Sequence, residues 1–330
     1  MEARDKLDRI AAGYQDAFIL LTSLRLGVFD ALAAGPLAPA ELAARLGLDA
    51  RALDLVLHAL AAVGILVKEG ESFRLEAGCA PLLVAGSPDT MASIYRHHDR
   101  LSGRWIRLEE TLRTGKPVPR SVPGEGAGRS PREHRDYICG MENISRGSSR
   151  DVAAAVDFSG ARRLLDVGGG PGTASLVFAA ANPGLSCVVF DLPETTAIAR
   201  EMIAAAGLGD RVATVDGDFH VDGFGEGFDV VYVSNVIHML PPRDTAMIAR
   251  KAHAALVPGG RLMFKDFYLD DTRTAPAHAA RFSVNMLVGT EGGMSYTMSL
   301  TRDIMADAGF GGFSVVPAGQ RSLVVIGARS

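Results

Sequence analysis

Three cysteines, one tryptophan and no apolar stretch near the length of a membrane span set the first limits on this chain. Cys79, Cys139 and Cys187 are odd in number and widely spaced, which excludes a disulfide framework and a cysteine metal set. The longest apolar runs, such as residues 17–21, fall far short of the ~18 residues that cross a bilayer. Charge of one sign is also missing: 34 basic side chains face 38 acidic ones, for a net charge of −4, and both signs occur throughout. Such a chain has no general field for nucleic acid or an anionic membrane, so neither is an expected partner. The opening Met1-Glu2-Ala3-Arg4-Asp5 puts acids where a secretory signal would be basic and then apolar, and the expected location is cytoplasmic. What the sequence does have is core material. Its 330 residues are 48% apolar and 22% charged, enough for one large domain or two ordinary ones.

The first hundred residues read as helical. Ile10, Tyr14, Ala17, Phe18, Leu21 and Leu24 recur at helical spacing until Gly35-Pro36 stops the pattern. A helix from Pro39 to Gly47 and another after the N-cap candidate Asp49 follow, the latter with Leu53, Val56, Leu57, Leu60 and Val63 on one face. Residues 65–67 and 72–75 then flank a turn at Glu69-Gly70-Glu71. Helix, turn, helix and a two-stranded wing make a winged-helix pattern. The second helix carries Arg51 against Asp54, with His58, and lacks the row of cations that phosphate contacts require. A packing module is therefore preferred over a DNA reader. Residues 114–135, punctuated by glycines and prolines, are expected to form a long loop between modules.

From residue 162 the rhythm becomes strand–helix alternation, which argues for a doubly wound α/β sheet. Strands are expected at residues 164–167, 186–190, 212–215, 228–233 and 260–265, with a closing antiparallel pair at 314–316 and 323–326. Asp166-Val-Gly-Gly-Gly-Pro-Gly172 lies where the first strand turns into a helix, and glycine there lets a ligand approach the backbone. The dinucleotide pattern G-x-G-x-x-G fails, because its sixth position is Thr173. The leading Asp166 suits a cofactor with an ammonium tail and would repel a pyrophosphate. Asp191, about twenty residues on, can accept two ribose hydroxyls, and Asp218 with Phe219 can meet an adenine. Together these residues describe S-adenosylmethionine.

Asp166-Val-Gly-Gly-Gly-Pro-Gly172, Phe190-Asp-Leu-Pro193, Gly217-Asp-Phe219, the His238 segment and Leu256-Val-Pro-Gly-Gly260 resemble the class I S-adenosylmethionine-dependent O-methyltransferases. The similarity is to the caffeate and acetylserotonin type and its bacterial natural-product relatives, and it covers essentially the whole chain. It implies a Rossmann-like catalytic domain at 101–330, including linker helices and a loop at 101–160, behind a winged-helix dimerisation domain at 1–100. It also implies a homodimer, a small-molecule acceptor, S-adenosylmethionine as cofactor with S-adenosylhomocysteine as product, and no metal. Carried over by position, the resemblance puts Ser145, Asp166, Gly168, Gly170, Asp191, Leu192, Asp218, Phe219 and Ser234 at the cofactor. Tyr137, Met141, Met286 and Ser295 fall at the acceptor.

Methyl transfer from a sulfonium is an in-line displacement, so the protein's tasks are to align the acceptor and remove its proton. A phenol, with a pKa of ~10, needs a base near neutral pH. By resemblance that base is His238, with Asp266 orienting its ring. Three positions depart from the family: Ser234 replaces a lysine, Met239 an aspartate, and Ser295 a glutamate, while Asp266 is one methylene shorter than the usual glutamate. A site short of one acid leaves open a C, N or S acceptor such as a thioether, in place of oxygen. A DNA-binding S-adenosylmethionine regulator is the third reading. The remaining histidines, His97, His98, His134, His220, His253 and His278, show no metal-ligand spacing and are expected to be structural or at the surface.

Overall fold

The helical periodicity that opens the chain is interrupted at Gly27, whose φ of 77° splits it into α1 (Ala3–Arg25) and α2 (Val28–Leu32). A computed structural model describes residues 2–118 and 130–330, which fall into two compact units, Met1–Gly103 and Arg104–Ser330. In the first unit, α3 (Pro39–Leu46) ends on left-handed Gly47. Asp49 then caps α4 (Ala50–Ala62), its Oδ1 accepting the Ala52 amide at 2.8 Å. Strands β1 (Leu66–Glu69) and β2 (Ser72–Leu75) pair antiparallel as the wing, followed by α5 (Ala80–Leu83) and α6 (Ala92–Trp105). Phe29, Leu42, Leu57, Leu60 and Phe73 form the buried centre of this unit. The apolar side chains of Leu7, Ile10, Tyr14 and Phe18, one stripe of α1, remain exposed.

The second unit begins with α7 (Leu108–Thr114) and α8 (Pro131–Ala155). Here the structure corrects the expected loop at 114–135, part of which, residues 119–129, lies outside the described residues. Pro131 does not interrupt structure; it occupies the first turn of α8, where its missing N–H costs nothing. Ser130 and Glu133 complete a capping box, each side chain accepting the other's backbone amide.

Strands β3 (Arg163–Val167), β4 (Ser186–Asp191), β5 (Val212–Asp216), β6 (Phe228–Ser234), β7 (Leu256–Asp266), β8 (Phe310–Ala318) and β9 (Ser322–Arg329) form one sheet. Its order is β5-β4-β3-β6-β7-β9-β8, with all strands parallel except β9, which runs antiparallel between β7 and β8. α9 (Thr173–Ala181), α10 (Pro193–Ala205) and α8 cover one face, meeting Leu164, Val189, Val230, Tyr232 and Met263. α11 (Pro242–Ala255) and α13 (Met298–Asp307) cover the other, meeting Leu165, Val231, Val233, Leu262 and Phe264. Strand order reverses between β3 and β6, so their carboxyl ends frame the crevice where such sheets bind ligands.

Candidate active site

The turn that leaves β3 is built on three left-handed glycines: Gly168 at φ 66°, Gly170 at 58° and Gly172 at 78°. A Cβ on Gly168 would lie 2.6 Å from Val236 Cγ2, whereas one on Gly170 would meet nothing within 4 Å. The turn is thus tight against the segment that follows β6 on one side and open on the other. At the end of β4, Asp191 Oδ2 accepts the Gly170 amide and Oδ1 accepts the Leu192 amide, both at 2.8 Å. Burial lifts the pKa of this carboxyl above the ordinary range, while the two amides pull it down. Leu192 is largely exposed beside it. Gly217 leaves β5 against the Phe190 ring, which a Cβ would strike at 2.4 Å. The strand ends at Asp216, so Asp218 sits two residues beyond it in the turn, with Oδ1 taking the His220 amide. The next residue, Phe219, is half-buried, and its carbonyl is held by Lys251 Nζ.

The Asp166 side chain lies in the interior. It is 1% exposed, Oδ2 accepts the Ser175 hydroxyl at 2.8 Å, and Gly169 lies directly over it, with a Cβ there 2.8 Å from the carboxyl carbon. Burial raises its pKa to about 7, with Asp191 adding to the rise and Ser175 opposing it. His134 is the converse case, a residue that sequence spacing assigned no role. On α8, its Nε2 lies 3.2 Å from the Thr195 hydroxyl, which is in hydrogen-bonding reach of Asp191. The separation of 61 residues between His134 and Thr195 left no signal of this contact.

Tyr137, Met141 and Ser145 follow along α8, all half-buried. The Ser145 hydroxyl donates to the Met141 carbonyl at 2.7 Å, leaving its oxygen lone pairs available. Ser234 closes β6 opposite Lys265.

The short 3-10 turn at Ile237–Met239 carries His238, 7% exposed, beyond the carboxyl end of β6. Its Nδ1 lies 2.7 Å from Asp266 Oδ1, and its backbone amide donates to Oδ2 at 3.2 Å. The shorter aspartate reaches because turn and strand end adjoin; one carboxylate holds both the ring and the backbone of the same residue. The Phe267 amide donates to Oδ1 at 2.7 Å and fixes the carboxylate further. With Nδ1–H on Asp266, Nε2 is the lone-pair nitrogen. Phe282, on α12 (Ala277–Gly289), meets the imidazole edge-on at 4.8 Å between ring centres, and Phe267 lies parallel to it at 6.3 Å. Met286 is buried on the same helix.

Ser295 follows the paired glycines and lies in the interior. It is 2% exposed, and its hydroxyl donates to the Ala279 carbonyl at 2.8 Å, so it braces α12. Glu291, just before the glycines, is exposed. The paired glycines still have a use: a Cβ on Gly293 would lie 2.6 Å from the His238 carbonyl. Among the described residues, no cluster of three or more His, Cys, Asp or Glu could hold a metal ion.

A glycine turn with open space at Gly170 and the half-buried Asp191 carboxylate beside it suit a nucleoside. The nearby acids disfavour a pyrophosphate, and the His–Asp pair stands one strand away. What such an edge accommodates is a nucleoside with a cationic sulfonium tail, the cofactor of the S-adenosylmethionine-dependent methyltransferases. Residues 105–311 match the model of the O-methyltransferase domain, and residues 9–85 that of the O-methyltransferase dimerisation domain. The chain belongs to this O-methyltransferase family. It is 35% identical to 3-hydroxy-5-methyl-1-naphthoate 3-O-methyltransferase of Streptomyces sahachiroi, over 92% of this chain and 88% of that one. It is 30% identical to L-tyrosine C(3)-methyltransferase of Streptomyces lavendulae, over 88% and 82%. The crystal structure of human N-acetylserotonin methyltransferase in complex with S-adenosylmethionine superposes with a TM-score of 0.90, at 25% identity, over 100% of this chain and 98% of that one. This chain is an S-adenosylmethionine-dependent methyltransferase with a dimerisation domain at its N-terminus.

Proposed function

We propose that the chain methylates a hydroxyl on a small aromatic molecule, with His238 as the general base and Asp266 as the group that orients it. The carrying observation is the 2.7 Å contact between His238 Nδ1 and Asp266 Oδ1. It leaves Nε2 as the basic atom of a ring flanked by Phe267 and Phe282. Bound S-adenosylmethionine supplies a methyl group on a sulfonium. The chain's own part is to seat an aromatic acceptor, receive its hydroxyl proton on Nε2 and stabilise the resulting imidazolium through Asp266. Met141, Tyr137 and Met286 would line the acceptor's apolar side. A turnover screen with methyl-labelled S-adenosylmethionine over phenols, amines and thioethers tests this; label entering only thioethers or amines overturns it. Alkylation of carbon beside a phenolate also begins with loss of the phenolic proton, so the position of the label separates O- from C-transfer.

For the cofactor, Asp191 is assigned to the ribose hydroxyls, Asp218 and Phe219 to the adenine, and Gly168 and Gly170 to the methionine portion. Asp191→Ala is expected to weaken S-adenosylhomocysteine binding by about 1–3 kcal/mol, the scale of a lost charged hydrogen bond. Calorimetry showing equal affinity would remove Asp191 from the site.

The working unit is proposed to be a homodimer formed through the N-terminal unit, in the cytoplasm and without nucleic acid. Leu7, Ile10, Tyr14 and Phe18, at spacings of three and four residues, leave an apolar stripe that the unit itself does not cover. Light scattering at micromolar concentration should give twice 34.8 kDa; a monomer there would count against the assignment. On α4, His58 lies against Asp54 and Lys68 of the same unit.

A further inference from the structure

Lys265 is a buried cation with no anion of its own. It is 2% exposed, and among the described residues its hydrogen bond is to Asn235 Oδ1, at a long 3.4 Å. Asp266 is its neighbour in sequence but lies on the opposite face of β7, where its oxygens take His238 and the Phe267 amide. No ion pair of Lys265 occurs among the described residues. Strand register fixes which face the lysine occupies. Its partners are Ser234 on β6 and Val324 on β9, and Val324 belongs to the core packed by α8 and α9.

A lysine stem can lie along apolar surface, but its ammonium needs acceptors, and a buried one without a counter-charge is costly. Burial lowers the amine's pKa to about 8, with Asp266 opposing the shift. Asn235, the one polar group on it, sits at the carboxyl edge of β6 in a left-handed conformation, φ 57°. That places the amine at the edge where β3 makes its glycine turn. From Asp191 on β4 to Lys265 on β7 there are three strand spacings, about 14 Å. An extended nucleoside with an amino-acid tail and a long lysine side chain divide that span between them.

We infer that Lys265 is the counter-ion for the carboxylate of the cofactor's methionine tail. The inference rests on the cofactor assignment above and adds a residue to it. S-adenosylmethionine carries one carboxylate, and it is the only anion that the ligand brings. The ammonium would receive it, and the Ser145 hydroxyl, on the helix that packs over the same face, would join by turning its one proton from the Met141 carbonyl to the carboxylate. No bond is made or broken; the lysine anchors the tail and thereby sets the position of the sulfonium.

The test compares S-adenosylhomocysteine with its decarboxylated analogue, which lacks only the carboxylate, by calorimetry. The wild type should prefer the intact compound by about tenfold or more, the scale of one charge-assisted hydrogen bond. Lys265→Met should remove most of that preference, lowering affinity for S-adenosylhomocysteine while leaving the analogue within about twofold. Lys265→Arg should retain the preference in part. Equal loss for both ligands, or a preserved preference in Lys265→Met, would overturn the assignment. A wild type that binds neither ligand would instead sink the cofactor site itself. Should the methionine variant not fold, NMR of the lysine ammonium in the wild type decides: its pKa must rise on binding S-adenosylhomocysteine and stay put with the analogue.

Discussion

His238→Ala is expected to lower turnover of a hydroxyl acceptor by about 10²–10⁴-fold, the usual contribution of a positioned base. Cofactor affinity should hardly move, because the ring faces Phe267, Phe282 and Asp266 and not the glycine turn. An effect confined to kcat, with binding intact, marks an interaction made in the transition state. Asp266→Asn should fall short of that loss but remain severe. It exchanges a carboxylate for a group that can present an N–H to the ring and so favour the wrong tautomer. It also weakens the acceptor of the His238 backbone amide. If the methyl group goes to a thioether, no proton leaves and His238→Ala should cost about tenfold or less, which would end the general-base assignment.

The second large effect is on stability, and it concerns Asp166. With its pKa raised to about 7 by burial, this carboxyl resists ionising in the folded chain although it ionises near 4 when unfolded. Below pH 4 both states carry the proton and nothing is lost. Between pH 4 and 7 the unfolded state releases its proton first, so stability falls as pH rises, by about 4 kcal/mol once pH exceeds 7. Asp166→Asn keeps an acceptor for Ser175 without the charge. It should match the wild type near pH 4 and exceed it at pH 8 by up to about 4 kcal/mol, or several degrees in melting temperature. Paired urea titrations at the two pH values would show it. Equal stability at pH 8 would mean that folding does not raise the pKa of this carboxyl.

The alternation of strands and helices was readable because buried parallel strands are short, apolar and bounded by glycine and acids. Val167, Asp191 and Ser234 end their strands within a residue of the expected places. Pattern failed where one residue type serves opposite ends. Pro131 was expected to belong to a loop but opens the 25-residue α8, because proline is as much at home in a helix's first turn as outside it. Motifs located the His238–Asp266 pair, yet whether an aspartate could replace a glutamate depended on backbone proximity that no spacing encodes. Asp166 fits its motif and faces the core, since the motif specifies residue type and not direction. His134 and Lys265 carry no local signature. One is near Asp191 only through the docking of α8, and the other is defined by cross-strand register with Ser234.

The hydrogen bond from the Gly170 amide to Asp191 has a kinetic consequence. It closes the glycine turn onto the neighbouring strand before any nucleoside arrives, so the turn need not be ordered by its ligand. Amide exchange at Gly170 should therefore be slow in the free protein and change little on saturation. Association should approach the rate of an encounter with a rigid surface and not that of a loop awaiting closure. Discrimination among nucleosides then falls to how fast each one leaves.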